Sequence, residues 1–129
     1  MIAQDLGTQL ITLHGRTRCQ FFKGTADWER ISDTVNELQI PVIANGDITD
    51  VSSARRALKL SGAAGSMIGI GVGGKPWLLA EVSHVLFNTK PPKIPSAQSF
   101  CEMMVLHYEA ALTFYGDTLG VRSVRKHIS

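Results

Sequence analysis

The chain has 129 residues, 44% of them hydrophobic and 19% charged, and a formal net charge of +2. That composition excludes intrinsic disorder, and the length is enough for one globular domain. Cys19 and Cys101 are too few and too far apart for a secreted disulfide scaffold or a paired zinc site, so a reducing cytoplasm is the expected compartment.

Met1 to Leu6 reads as the tail of a helix running into Gly7, without the charged leader and apolar core of a signal peptide. Gln9-Leu10-Ile11-Thr12-Leu13 is a short apolar and β-branched run that suits a buried parallel strand, with His14-Gly15-Arg16-Thr17-Arg18 at its carboxyl end. Asp27 is a candidate N-cap for a helix carrying Trp28, Ile31, Val35 and Leu38 at helical spacing. Pro41 opens a second strand. Asp50 caps the next expected helix, which turns Val51, Ala54, Ala57 and Leu58 inward and stops at Gly62. A third strand is expected over Ser66 to Ile70. Pro76 suits the first turn of a helix with Trp77, Leu78, Val82, Val85 and Leu86 on its apolar side, running to Phe87.

Asn88 to Pro95 holds three prolines and two lysines, the composition of a linker. Beyond it Phe100, Met103, Met104, His107, Ala111 and Phe114 recur at helical spacing until Gly116, and a second helix starts near Thr118. Three fixed positive charges, Arg122, Arg125 and Lys126, fall within five positions near the end. They suit a phosphate-rich partner, or equally a solvated basic helix end favoured by the helix dipole.

Two glycine-bearing strand ends stand out: Pro41 to Asp47, closing on Asn45-Gly46-Asp47, and Ser66 to Gly71, closing on Gly69-Ile70-Gly71. Separated by one helix, they read as the phosphate-binding corner of a parallel α/β barrel, where backbone N–H groups point at an anion. A complete barrel needs roughly 250 residues, so the expected fold is α/β: the carboxyl-terminal part of a TIM barrel, about three strands with their helices, followed by a small all-α domain. Gly69-Ile70-Gly71-Val72-Gly73-Gly74 also satisfies G-x-G-x-x-G. A dinucleotide fold would require a second strand ending in an acidic residue about 20 residues on, where the proline linker lies instead.

His14 to Gln20, Lys23-Gly24, Ala26-Asp27-Trp28, Pro41 to Asp47, Met67-Ile68-Gly69 and Pro76-Trp77 together resemble the later part of the tRNA-dihydrouridine synthases. His107-Tyr108, Phe114-Tyr115-Gly116 and Arg122 to His127 resemble the helical tRNA-binding domain of the bacterial B-type branch, so the resemblance covers essentially the whole chain. It implies a partial FMN-binding barrel over residues 1–88, a linker over 89–95 and a truncated tRNA-binding domain over 96–129. It also implies reduction of uridine to 5,6-dihydrouridine in tRNA, with FMN as cofactor and NADPH as reductant.

On that resemblance the cofactor-binding residues are His14, Asn45, Gly46, Asp47, Gly69 and Ile70, and the RNA-binding residues are Arg122, Arg125 and Lys126. Position alone leaves His14 open as a packed polar residue and Asp47 as a helix cap. The family usually places an arginine after Gly69, where this chain has Ile70. Losing such a charged contact to phosphate corresponds to roughly ten- to a hundred-fold in affinity. The family's catalytic cysteine belongs to an earlier barrel segment, so no catalytic residue and no metal ligand is assigned here. Cys19 and Cys101 read as structural or incidental thiols, and Lys23 and Lys75 as surface charges. Trp77 reads as helix packing rather than as a platform for a base. No membrane association is expected. The alternative from a different class is a non-catalytic RNA-binding or assembly module; on either reading a partial barrel is expected to self-associate through its exposed edges.

Overall fold

The computed structural model describes residues 2–21 and 23–128, and no side chain beyond Arg125. Chain contacts divide it into two compact units, Met1–Pro91 and Pro92–Ser129.

In the first unit a short helix, α1 (Ile2–Asp5), leads through Gly7 to β1 (Ile11–His14). A single 3₁₀ turn, Arg18–Gln20, separates β1 from α2 (Glu29–Glu37), and β2 (Val42–Asn45), α3 (Val51–Ser61) and β3 (Gly65–Met67) follow. A second 3₁₀ turn, Ile70–Val72, precedes α4 (Leu78–Phe87). The strands form one parallel sheet in the order β1-β2-β3, with Leu13 opposite Ala44, and His14 opposite Asn45, which in turn faces Met67. Helices connect successive strands, as parallel pairing demands.

Side-chain alternation sorts the sheet into two faces. Val42 and Ala44 are buried, and they meet a core built from Trp28, Ile31 and Leu38 at the α2 end, Ala54 and Ala57 of α3, and Leu78 and Val82 of α4. The opposite register places His14, Asn45 and Met67 in one row across the carboxyl ends of the three strands. In open or closed parallel sheets that edge is where ligands gather.

Local chemistry explains the helix boundaries. The Asp27 carboxylate accepts the Arg30 N–H at 3.2 Å, so Asp27 caps the first turn of α2. Asp50 accepts the Ser53 N–H at 2.6 Å, while the Ser53 hydroxyl oxygen accepts the Asp50 N–H at 3.0 Å, a reciprocal capping box. These bonds from Ser53 hold the Asp50 carboxyl below its ordinary value. α3 ends at Gly62, φ 67°, whose N–H donates to the Leu58 carbonyl. Ser61 is buried without penalty because its hydroxyl donates to the Ala57 carbonyl and accepts the Ala63 N–H.

Three expectations about the first unit need correction. The first strand is Ile11–His14 and not the buried run Gln9 to Leu13, because pairing with β2 extends only from Ile11 to His14; its residues alternate between half-buried and exposed, and Leu10 is 51% exposed. The third strand is Gly65–Met67 and not Ser66 to Ile70, because β2 ends at Asn45 and leaves the chain after Met67 without a hydrogen-bonding neighbour. Val85, expected on the apolar side of α4, is 46% exposed.

The second unit is a helical run, α5 (Ala97–Ile128), broken at Gly116, where φ 72° and ψ 166° leave the helical region. The break falls where the sequence places it. Phe100, Met103, Met104 and Ala111 are half-buried, whereas His107 and Phe114 of the same expected stripe are exposed, and Tyr108 and Leu112 are half-buried in their stead. Phe114 instead packs edge to face on Tyr115, ring centroids 4.7 Å apart. Among the described residues no helix is long and apolar enough to cross a membrane.

Candidate functional site

An open cavity of about 290 Å³ lies at the carboxyl ends of the strands, lined by His14, Asn45 and Met67, the last residues of β1, β2 and β3, with Arg16 beyond β1, Gly46 to Thr49 beyond β2, and Gly69, Ile70 and Gly71 beyond β3. All six residues expected to bind a cofactor therefore line one cavity. A second cavity, of about 230 Å³, adjoins it, and His14 and Arg16 contribute to both. It is otherwise bounded by Leu13, Gly15, Thr17, Gln20, Asp27, Arg30 and Ile31.

His14 ends β1 with its ring fixed from one side. The Arg16 backbone N–H donates to His14 Nδ1 at 3.1 Å, so Nδ1 is an acceptor and the proton of the neutral ring resides on Nε2. Asn45 occupies the matching place on β2. Its amide donates to the Met67 carbonyl at 2.8 Å, which ties the end of β2 to the end of β3, and among the described residues no hydrogen bond uses the amide oxygen.

Gly46 is buried and has φ 113°, a backbone region that side chains with a Cβ rarely enter. A Cβ placed there would lie 2.9 Å from the Ala26 Cβ and 3.0 Å from His14 Cε1. The turn also exposes its carbonyl to Trp28, whose indole Nε1–H donates to it at 2.9 Å. Close approach matters again at Gly71, where a Cβ would run into the Ile48 carbonyl oxygen and lie 2.8 Å from the Thr49 Cα. Gly46 thus lets the end of β2 close on β1 and the loop between β1 and α2, and Gly71 lets the loops after β2 and β3 converge.

Asp47 is the main correction to the helix-cap alternative, since Asp50 caps α3. Held at φ 53°, its Oδ2 accepts the Ala26 N–H and an Arg16 Nη2–H, each at 2.7 Å. Arg16 Nη2 also donates to the Gly24 carbonyl at 2.7 Å. One carboxylate thus ties the loop between β1 and α2 to the end of β2. Burial alone would raise the Asp47 carboxyl, but the Ala26 hydrogen bond together with the Arg16 hydrogen bond and charge holds it below its ordinary value of 3.8.

That direction fixes a pH dependence. A carboxyl lowered on folding contributes stability above its unfolded-state value, about 3.9, and the contribution is lost as pH falls through the lower folded-state value. Because the Trp28 indole bonds to Gly46, next to Asp47, Trp28 emission is expected to stay constant from neutral pH to about 4 and to change only below that range. Asp47→Asn should remove this local step and leave only global acid unfolding. An emission change centred well above pH 4 in the unsubstituted chain would contradict it.

Gly69 and Ile70 lie at the cavity rim. Ile70 is not a strand residue; it opens the 3₁₀ turn and is 84% exposed. Among the described residues no acceptor takes the Ile70 and Gly71 N–H groups, which belong to the first turn of that 3₁₀ segment. The site therefore offers an imidazole Nε2–H, a guanidinium, backbone N–H groups and an amide oxygen. The donors suit the carbonyl and phosphate oxygens of an anionic ligand, and the amide oxygen suits a donor on it. Among the described residues no group of three or more His, Cys, Asp or Glu side chains is placed to hold a metal ion.

Arg122 and Arg125 lie on α5 beyond Gly116, exposed and three residues apart, so they share one helix face. Lys126 has its side chain outside the described residues. Cys19 and Cys101 are both exposed free thiols. The pairing of Arg16 with Asp47, 31 positions away, has no local signal in the sequence.

The family model for dihydrouridine synthase matches residues 1–129. A probable tRNA-dihydrouridine synthase from Rhodobacter capsulatus is 51% identical over 126 residues, covering 98% of this chain and 39% of its own length. A probable tRNA-dihydrouridine synthase from Rickettsia conorii is 48% identical, covering 98% and 38%. A tRNA-dihydrouridine synthase B from Vibrio cholerae is 41% identical, covering 99% and 40%. The chain thus spans about two fifths of the length of these curated relatives.

Proposed function

The chain belongs to the dihydrouridine synthase family, and from that premise we propose that it forms the FMN-binding side of an enzyme that reduces uridine to 5,6-dihydrouridine in tRNA. NADPH is the reductant in this reading, and the cytoplasm its place. The observation that carries it is the convergence of His14, Asn45, Gly46, Asp47, Gly69 and Ile70 on one cavity at the carboxyl ends of three parallel strands.

Bound FMN would supply the hydride that reduces the C5–C6 double bond. His14 offers its Nε2–H to a carbonyl or ribityl oxygen. The N–H groups around Gly46, Gly69 and Ile70 hold oxygens of the phosphate end, where the backbone can approach because glycine carries no Cβ. Asn45 keeps β2 and β3 in step and turns its amide oxygen to the ligand. Arg122, Arg125 and Lys126 contact tRNA phosphates, an interaction that weakens steeply with salt. The domain division proposed is a partial barrel over 1–88, a linker over 89–95 and a tRNA-binding domain over 96–129. The cysteine that protonates the uracil ring belongs to a segment of the family pattern outside this chain.

One observation favours the second reading, an RNA-binding or assembly module without chemistry. β1 and β3 each pair on one side only, so the described sheet has two edges of the kind that invite pairing with another chain. Both readings are separated by incubating the purified chain with FMN, desalting it and recording visible absorbance, with tRNA binding measured on the same sample. A retained flavin spectrum is the expected result. Flavin lost on desalting while tRNA binding persists, and falls on substituting Arg122 and Arg125, would favour the module.

A further inference from the structure

Arg16 stands in the wall between the two cavities, and its guanidinium is not used evenly. Both Nη2 hydrogens are engaged, one by the Gly24 carbonyl and one by Asp47 Oδ2. Nε is sealed from solvent and has no acceptor. Nη1 is neither among the sealed, unpartnered atoms nor in any hydrogen bond of the described residues, so it is the end left open. The side chain as a whole is 12% exposed. A guanidinium with one donor sealed and unsatisfied is expensive, and such groups persist where the surroundings hold them for use.

We propose that Asp47 is a positioning residue rather than a ligand-contacting one: it fixes Arg16 so that Nη1 faces an anionic or carbonyl oxygen of the ligand in the cavity. The presentation of Nη1 rests on the flavin-site reading above; the fixing of Arg16 by Asp47 does not. Asp47 Oδ2 is already shared between Arg16 and the Ala26 N–H, and its backbone at φ 53° turns the carboxylate onto the loop between β1 and α2. His14 is the other titratable group facing this pair, and its Nδ1 is occupied by the Arg16 N–H. Arg16 is therefore held at three points, through its own N–H, Gly24 and Asp47.

The test follows the Arg16 guanidinium by nitrogen NMR in the full chain, with Trp28 emission reporting the fold. Without ligand, Asp47→Asn is expected to speed hydrogen exchange at Arg16 by about tenfold, the loss of one charge-assisted bond. Unchanged exchange would overturn the positioning role and leave the flavin reading intact. With FMN, uridine or inorganic phosphate added separately, the Arg16 resonances are expected to shift more than the Asp47 carboxyl carbon. A response to phosphate and FMN but not uridine assigns the oxygen to phosphate, and one to uridine but not phosphate assigns it to the base. A larger shift at Asp47 would overturn the proposal, because the carboxylate would then touch the ligand. No shift with any of the three would overturn the presentation of Nη1 together with the flavin reading. Should Asp47→Asn fail to fold, Arg16→Lys decides: it keeps the charge and removes the fork, so affinity is expected to fall about tenfold, and unchanged affinity overturns the proposal.

Discussion

Replacing Gly46 with alanine is expected to destabilise the first unit by about 2–4 kcal/mol and to abolish flavin retention. Two independent costs coincide. The backbone at φ 113° is nearly closed to residues with a Cβ, and the new methyl would meet Ala26 Cβ at 2.9 Å and His14 Cε1 at 3.0 Å. Ala26 cannot retreat easily because its N–H is held by Asp47, and His14 cannot because its ring is fixed by the Arg16 N–H. Relief by backbone movement would break the bond from the Trp28 indole to the Gly46 carbonyl. Denaturant unfolding followed by Trp28 emission reads the loss, and a midpoint unchanged from the parent chain would show that the turn is not held as described. Gly69→Ala is the control: an added Cβ there has no neighbour within 4 Å, and φ is −101°. Its stability should change by well under half of the Gly46 value.

The contrast shows what local sequence carries. Asp27, Asp50 and Gly62 act on groups within four residues, so helix ends are legible from residue type and spacing. The inward positions of α2 and α3 were legible for the same reason, since Trp28, Ile31, Ala54 and Ala57 follow the helical period into the core. Strand length was not. Where β3 ends depends on where β2 stops offering partners, which is decided by the turn at Gly46, outside β3 itself. The site divides similarly. That His14, Asn45 and Gly69 share one end of the sheet follows from strand order and residue type. The Arg16 to Asp47 pair links residues 31 apart through side chains alone, and the Asp47 carboxylate, free in sequence to cap a helix or touch a ligand, is found on Arg16 and Ala26 instead. Long-range polar pairing leaves no periodicity to read.

Ile70 gives the second large effect. On the proposed reading, Ile70→Arg is expected to raise FMN affinity by roughly ten- to a hundred-fold, because a guanidinium can grip a phosphate dianion bidentately where isoleucine offers only its N–H. The position can accept the change. Ile70 is 84% exposed and opens a 3₁₀ turn on the cavity rim, so removing it uncovers no core and the longer side chain meets no packed neighbour. Stability should stay within about 0.5 kcal/mol, which separates a gain in affinity from a gain in fold. Two controls define the cause. Ile70→Gln adds polarity without charge and should recover little of the gain, and raising the salt concentration should shrink the arginine effect because an exposed charge pair is screened. Equilibrium dialysis of FMN against the three chains reads all of this. Equal affinities for the arginine, glutamine and isoleucine chains would place the phosphate away from the 3₁₀ turn, and the loop after β2, with Gly46 at its apex, would then have to hold it alone.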